Sequence, residues 1–353
     1  MINQELYNTL CRAKIKESLF LVSKLILQDL DKNIEVLQNT FIAICSYIGS
    51  YISLTDIRLL LDTINDVIAF IEDEEITIKN VYILVAKLCL LCDIYIKTPI
   101  TKTGTINIKI VRDKIIDMFE NESFKLSSSG ITKFEGILPP IDNPTYILAT
   151  QVITGYVYIL KQLESIPSTD SNKLSDIANK IRNSFDYIIR KRYTFETKFY
   201  ESDNDAVWFL WGILSLLYTN SEMDYLYQLF NYGYAKKHKN HRIGLLWAAA
   251  ITMVYIAKKD VARNWNTAEV KAIKKIEEVS LILYNDIKRE LIKNNEIPEQ
   301  QTQEKNTNID GMEYISSFRP VIQEKGVVAS STTNSETTQR EIKSIRCKRD
   351  YMM

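Results

Sequence analysis

The stretch from Asn204 to Asn295 reads as four helices in succession: NDAVWFLWGILSLLY, MDYLYQLFNYGYAKKHKNHR, IGLLWAAAITMVYIAKK and TAEVKAIKKIEEVSLILYNDIKREL. Its apolar residues recur at helical spacing, and this periodicity is the strongest constraint on the fold. All four tryptophans fall here: Trp208, Trp211, Trp247 and Trp265. Burying an aromatic side chain removes a large area from water, so the second half of the chain is expected to pack around this stretch.

Glycine is scarce, with 10 residues in a chain of 353. That argues against glycine-rich phosphate loops and against a turn-dense all-β fold. The expected class is all-α, an irregular multi-helix array or orthogonal bundle in two helical halves. No fixed repeat period is evident, which excludes a regular solenoid. Lys+Arg and Asp+Glu balance at 44 each. Any charged partner must therefore be read by a local patch rather than by a global field. The abundance of Ile, Lys, Asn and Tyr fits an AT-rich genome, such as that of a large DNA virus or a parasite.

Along the chain, helices are expected over about 4–29, 32–50, from Ser53 or Thr55 to Asp73, and over Thr77–Lys97. The last is apolar almost all round, as a helix central to its domain would be. Asp62 and Asp66 fall opposite the apolar stripe of the third helix and read as solvated. A short helix is expected over about 107–121, with a brief strand at 106–110 as the alternative. Residues 124–142 have no period and contain Ser127-Ser128-Ser129-Gly130 and Pro139-Pro140, so they read as a linker. Asn143-Pro144 signals a helix start, a capping side chain followed by proline at the first helical position. That helix runs to about Glu164, another covers about 172–192, and Thr267 is expected to cap the final one, which ends near Asn294. The expected organisation is an N-terminal helical domain at 1–123, a linker at 124–142, a C-terminal domain at 143–295 and a disordered polar tail at 296–353. Within the tail, Met312–Val321 carries Tyr314, Ile315 and Phe318. It is a candidate docking peptide, for a partner or for the protein's own surface.

The five cysteines, Cys11, Cys45, Cys89, Cys92 and Cys347, are odd in number, and four lie in apolar helical patterns. They read as reduced thiols of an intracellular protein. The start MINQELYN lacks a secretory pattern. The apolar runs Ala206–Tyr218 and Ile243–Ala257 are shorter than the roughly 20 residues that span a bilayer. Cys89-Leu-Leu-Cys92 has zinc half-site spacing, but the only histidines, His238 and His241, lie in the other half of the chain. Two core thiols, with no metal and no cofactor, are the expected state.

Two basic clusters stand out. Lys236, Lys237, His238, Lys239, His241 and Arg242 surround Asn240 in an expected helix–helix connection. Arg190, Lys191 and Arg192 precede Tyr193, Phe195, Phe199 and Tyr200. Cations could grip phosphates and aromatics could stack on bases. The simpler reading is a solvated loop and a cationic helix end. Two histidines in one basic loop leave few ways to assemble a triad. Walker, GxGxxG, HExxH and EF-hand patterns are missing. The leading expectation is a non-enzymatic interaction or structural protein acting through protein partners, with viral origin an expectation from composition alone. The alternative is an accessory nucleic-acid-binding subunit of a replication or packaging assembly. An enzyme with carboxylate or tyrosine chemistry comes third.

Overall fold

A computed structural model describes residues 1–72, 76–97, 126–190, 194–195, 205–234, 239–298 and 314–315. Of these residues, 79% are helical. The helices are α1 (Gln4–Cys11), α2 (Ile15–Tyr51), α3 (Ile57–Glu72), α4 (Ile78–Lys97), α5 (Ser128–Thr132), α6 (Tyr146–Ser165), α7 (Ser171–Arg190), α8 (Ala206–Leu217), α9 (Ser221–Tyr234), α10 (Lys239–Ala257) and α11 (Thr267–Lys293). A two-stranded antiparallel ladder joins β1 (Ile76–Thr77) to β2 (Tyr314–Ile315). The fold is all-α, as the periodicity implies. The segment expected to be helical at 107–121 lies outside the described residues, as does the tail apart from residues 296–298 and β2.

Local chemistry moves several boundaries. The helix expected at 4–29 is broken after Arg12, where Ala13 takes a left-handed conformation with φ 55. The Ala13 N–H donates to Leu10 O and the Lys14 N–H to Thr9 O, which closes the helix end with paired reverse bonds. The signal is hidden in sequence because alanine occupies the place usually held by glycine. At Asp29 the backbone leaves the helix, with φ −168 and ψ 95. Its carboxylate then accepts from the Lys32 N–H at 3.2 Å and restarts the helix near the expected boundary.

Asn143 does not cap α6 directly. Its Oδ1 accepts from the Thr145 N–H at 2.9 Å and the Thr145 hydroxyl at 2.7 Å, so the chain turns first and the helix begins at Tyr146. Asn266, not Thr267, caps α11. Its side chain accepts from the N–H groups of Ala268 and Glu269, while Glu269 accepts from the Asn266 N–H at 2.7 Å. The end of α11 turns back through Asn295, at φ 56, and Ile297 is buried beyond it.

One apolar cluster runs from Leu6 to Tyr284. Helix α2 packs against α1, α3, α4, α9, α10 and α11, and α10 packs against α2, α3, α6, α7, α8 and α9. The helices on either side of 124–142 therefore share a core within one compact unit, Met1–Phe318. Trp208 and Trp211 are fully buried against Phe230. Trp265 departs from the expected aromatic core and is a partly exposed polar anchor.

Where α2 crosses α10 the backbones nearly touch. A Cβ on Gly244 would lie 1.8 Å from Ser46 O, and one on Gly49 would lie 2.5 Å from Gly244 O. Alanine gains about 1 kcal/mol over glycine in helix propensity. Overpacking costs about 1–3 kcal/mol, and here the obstacle is backbone that cannot rotate away. Gly244→Ala should lower unfolding free energy by about 2 kcal/mol in denaturant titration, the upper end of the overpacking cost less the propensity gain. Gly136→Ala, where an added Cβ meets nothing within 4 Å, should stay within about 0.5 kcal/mol of wild type. Ala13→Gly should stabilise by about 0.5–1 kcal/mol, because glycine tolerates positive φ.

Candidate interaction surfaces

Two polar clasps hold the connection between α10 and α11 to the N-terminal helices. In the first, the Arg263 N–H donates to Thr55 O at 2.7 Å. Its guanidinium Nε donates to Asp56 Oδ1 at 2.6 Å. Its other nitrogens reach the two oxygens of Glu269 at 2.9 and 3.2 Å. The Ser53 hydroxyl completes the group by donating to Asp56 Oδ2 at 2.6 Å. This bond runs side chain to side chain before the helix, and α3 starts at Ile57 rather than at Ser53 or Thr55. Hydrogen bonds donated to Glu269 and Asp56 push the guanidinium further toward its charged form.

In the second clasp, Lys87 Nζ lies 2.9 Å from Asp62 Oδ2 and 2.7 Å from Asp66 Oδ2. The Trp265 indole N–H donates to the same Asp62 oxygen at 2.9 Å. Asp62 is exposed, in line with the solvated reading, but Asp66 is partly buried and both carboxylates are bonded, because the opposite face of α3 meets a lysine from α4. Burial raises the pKa of Asp66 more than Lys87 lowers it. For Asp62 burial also raises, but hydrogen bonds from Trp265 and Lys87 prevail and the pKa falls. Burial opposes the charge of Lys87, yet the two carboxylates more than restore it, and its pKa rises. Among the described residues, no three His, Cys, Asp or Glu side chains are placed to hold a metal ion.

A third contact joins the end of α3 to the end of α9. Glu72 Oε1 accepts from the Tyr232 hydroxyl at 2.8 Å and from the Gln228 amide. Glu72 stays exposed but is tied down by these bonds, while Asp73, Glu74 and Glu75 lie outside the described residues.

Lys236, Lys237 and His238 lie outside the described residues. Lys239, His241 and Arg242 form the first turn of α10, which begins four residues earlier than expected. Of the other cluster, Arg190 pairs with Asp186 at 2.8 Å across one helical turn. Lys191, Arg192, Tyr193, Phe199 and Tyr200 lie outside the described residues. Phe195 is buried and stacks on Phe209, with ring centroids 4.1 Å apart. The idea that it stacks on bases is corrected, since its faces are spent on the core.

Cys45, Cys89 and Cys92 are free and buried. Cys89 lies 3.8 Å from the Ser18 hydroxyl, and burial pushes its thiol up to about 12. Sequence reasoning missed two buried hydroxyl pairs, Ser23 with Tyr82 at 2.6 Å and Tyr156 with Ser184 at 2.7 Å. Burial pushes the Tyr82 phenol up to about 12. These groups stay protonated at neutral pH, which suits packing rather than nucleophilic attack.

On the surface, Ile141 is 81% exposed and Ile147 69% exposed. Both belong to the approach and first turn of α6. Ile282 on α11 is 63% exposed. Of the expected docking peptide, Tyr314 pairs with Thr77 and Ile315 with Ile76, while Phe318 lies outside the described residues.

Comparison of the chain with protein-family models, with curated proteins and with solved structures yields no match. No helix among the described residues is long and apolar enough to cross a membrane.

The Lys87 clasp gives a pH-dependent expectation. Lys87→Met should lower unfolding free energy by about 1–2 kcal/mol at pH 7, discounted for the partial exposure of both carboxylates. Asp62, with its depressed pKa, contributes stability above its unfolded pKa and loses it as pH falls through the folded one. Asp66, with its raised pKa, takes up its proton first. The gap between wild type and variant should therefore close in two stages below about pH 5 when urea midpoints are followed against pH.

Proposed function

We propose that this chain is a non-enzymatic helical interaction protein that works by presenting surfaces to protein partners. The observation that carries this reading is the exposure of Ile141 and Ile147 on the turn before α6 and its first turn. Large apolar side chains left in water beside a proline-braced turn suit burial against another protein. In this reading the charged groups of the two clasps serve architecture, because each bonds another part of the same chain.

A second reading, nucleic-acid binding, draws on the first turn of α10. Lys239, His241 and Arg242 sit at a helix end whose dipole already disfavours cations, and an anion would relieve that. Against it stands charge balance. The basic run follows directly from α9 and the acidic run Glu72–Glu75 from α3, at helix ends joined through Glu72. The chain as a whole balances 44 cations against 44 anions, which supplies no global field for a phosphate backbone.

Affinity capture from native cells with the full chain and with Ile141→Ser/Ile147→Ser tests the first reading. The expected result is at least one protein retained by wild type and reduced about tenfold by the double variant. Identical recoveries would remove the role given to this surface. In parallel, wild type and a Lys236→Gln/Lys237→Gln/Lys239→Gln/Arg242→Gln variant are titrated with single- and double-stranded DNA at two salt concentrations. Equal, weak binding is expected. Salt-sensitive binding lost in the variant would install the nucleic-acid reading instead.

A further inference from the structure

The ladder between β1 and β2 joins positions 77 and 314, which are far apart in the chain. Its two sides differ in how they are fixed. Ile76 and Ile78 are buried in the core, and the Thr77 hydroxyl accepts from the Asn80 N–H at 3.2 Å at the start of α4. The β1 backbone is thereby held extended between α3 and α4. The sequence around β2 is polar, with QTQEKNTNIDG before it and QEKGVVASSTTNSETTQ after it. Its apolar residues gather in MEYISSFRPV. A prepared strand edge on one side and a lone apolar peptide on the other form the pattern of strand addition. In that mode backbone bonds give affinity and alternate side chains give selectivity.

We propose that the edge of Ile76–Thr77 is a docking site for an extended peptide carrying an aromatic residue followed by a β-branched one, and that Tyr314–Ile315 is its tethered, displaceable occupant. The proposal goes beyond the interaction role above and does not depend on it, because the occupant belongs to this chain. Energetics favour exchange. Each backbone hydrogen bond contributes about 0.5–1.5 kcal/mol net, so a ladder of two residue pairs is weak on its own. Fifteen residues, 299 to 313, tether Tyr314 covalently to Pro298. Such a tether holds the peptide at about millimolar effective concentration, enough to fill a weak site. An untethered peptide of the same pattern then meets an occupied but yielding edge.

The test uses the full chain with Ile315→Pro. Proline removes a backbone donor and is poorly accepted within a ladder, so β2 should release while the helices stay unchanged. The probe is a fluorescein-labelled peptide of sequence MEYISSFRPV, followed by fluorescence anisotropy. The variant should bind the probe at least about tenfold more tightly than wild type, whose own segment competes. A probe with proline in place of its isoleucine should bind neither. Hydrogen exchange supplies a second readout, since an Ile76–Thr77 amide that bonds β2 should exchange at least about tenfold faster in the variant. If variant and wild type take up the probe equally, or the variant takes up none, the docking site is refuted. If exchange at Ile76–Thr77 is the same in both, the cis occupancy is refuted. Wild type that sediments as a dimer dispersed by Ile315→Pro would also overturn it, giving the edge to the tail of a second copy.

Discussion

The approach of Gly244 to Ser46 and Gly49 is the constraint on which the rest of the architecture depends. Helix α2 gathers α1, α3, α4 and α11, while α10 gathers α6, α7 and α8. The two groups meet where these helices cross. Ala248 also lies at this contact, 3.3 Å from where a Cβ on Gly49 would sit. Small residues let dispersion contacts form between main chains as well as side chains. Widening the crossing would separate layers on both sides, since close-packed interiors transmit displacement rather than absorb it.

The clasps set the remaining degree of freedom, the placement of α11. This helix is amphipathic but contributes few fully buried residues, among them Ser280, Tyr284 and Leu291. Apolar burial alone leaves it weakly positioned. Arg263 compensates by bridging Asp56 near the start of α3 and Glu269 in the first turn of α11. Glu269 also closes the cap with Asn266, so one carboxylate fixes both where the helix begins and where it sits. Bidentate guanidinium pairing suits this task because it sets orientation as well as distance. Salt bridges at α11's flanks, Lys79 with Glu277 at 2.8 Å and Lys24 with Glu296 at 2.5 Å, are more exposed and add little by comparison.

What could be read from sequence follows from the range of each interaction. The periodicities of α3, α4 and α11 are local, and these helices stand close to where their apolar stripes place them. The dipeptide Asn143-Pro144 also marks a turn locally, though the helix waits until Tyr146. Ala13 shows the limit, because nothing in alanine announces a left-handed residue. The partners of Asp62, Asp66 and Glu72 lie across the fold at Lys87, Trp265, Gln228 and Tyr232, and no spacing rule links those positions. A carboxylate opposite an apolar stripe is equally consistent with water and with a lysine from the next helix. The basic run at 236–242 and the acidic run at 72–75 are legible as charge, but the bonds from Gln228 and Tyr232 to Glu72 are not.

This distribution of charge bears on what kind of surface the chain offers. Buried thiols and phenols at Cys89 and Tyr82 are pushed toward their neutral forms. The clasp carboxylates are bound to cations of the same chain. These described groups are committed to structure. What is left facing outward differs in kind: the isoleucines at 141 and 147, the isoleucine at 282, and a strand edge held by the core. Apolar side chains in water and unspent backbone donors gain free energy only by acquiring neighbours. At the strand edge the chain supplies that neighbour itself, through a pairing short enough to yield. At Ile141 and Ile147 the described chain supplies none, and in the proposed reading a partner protein would.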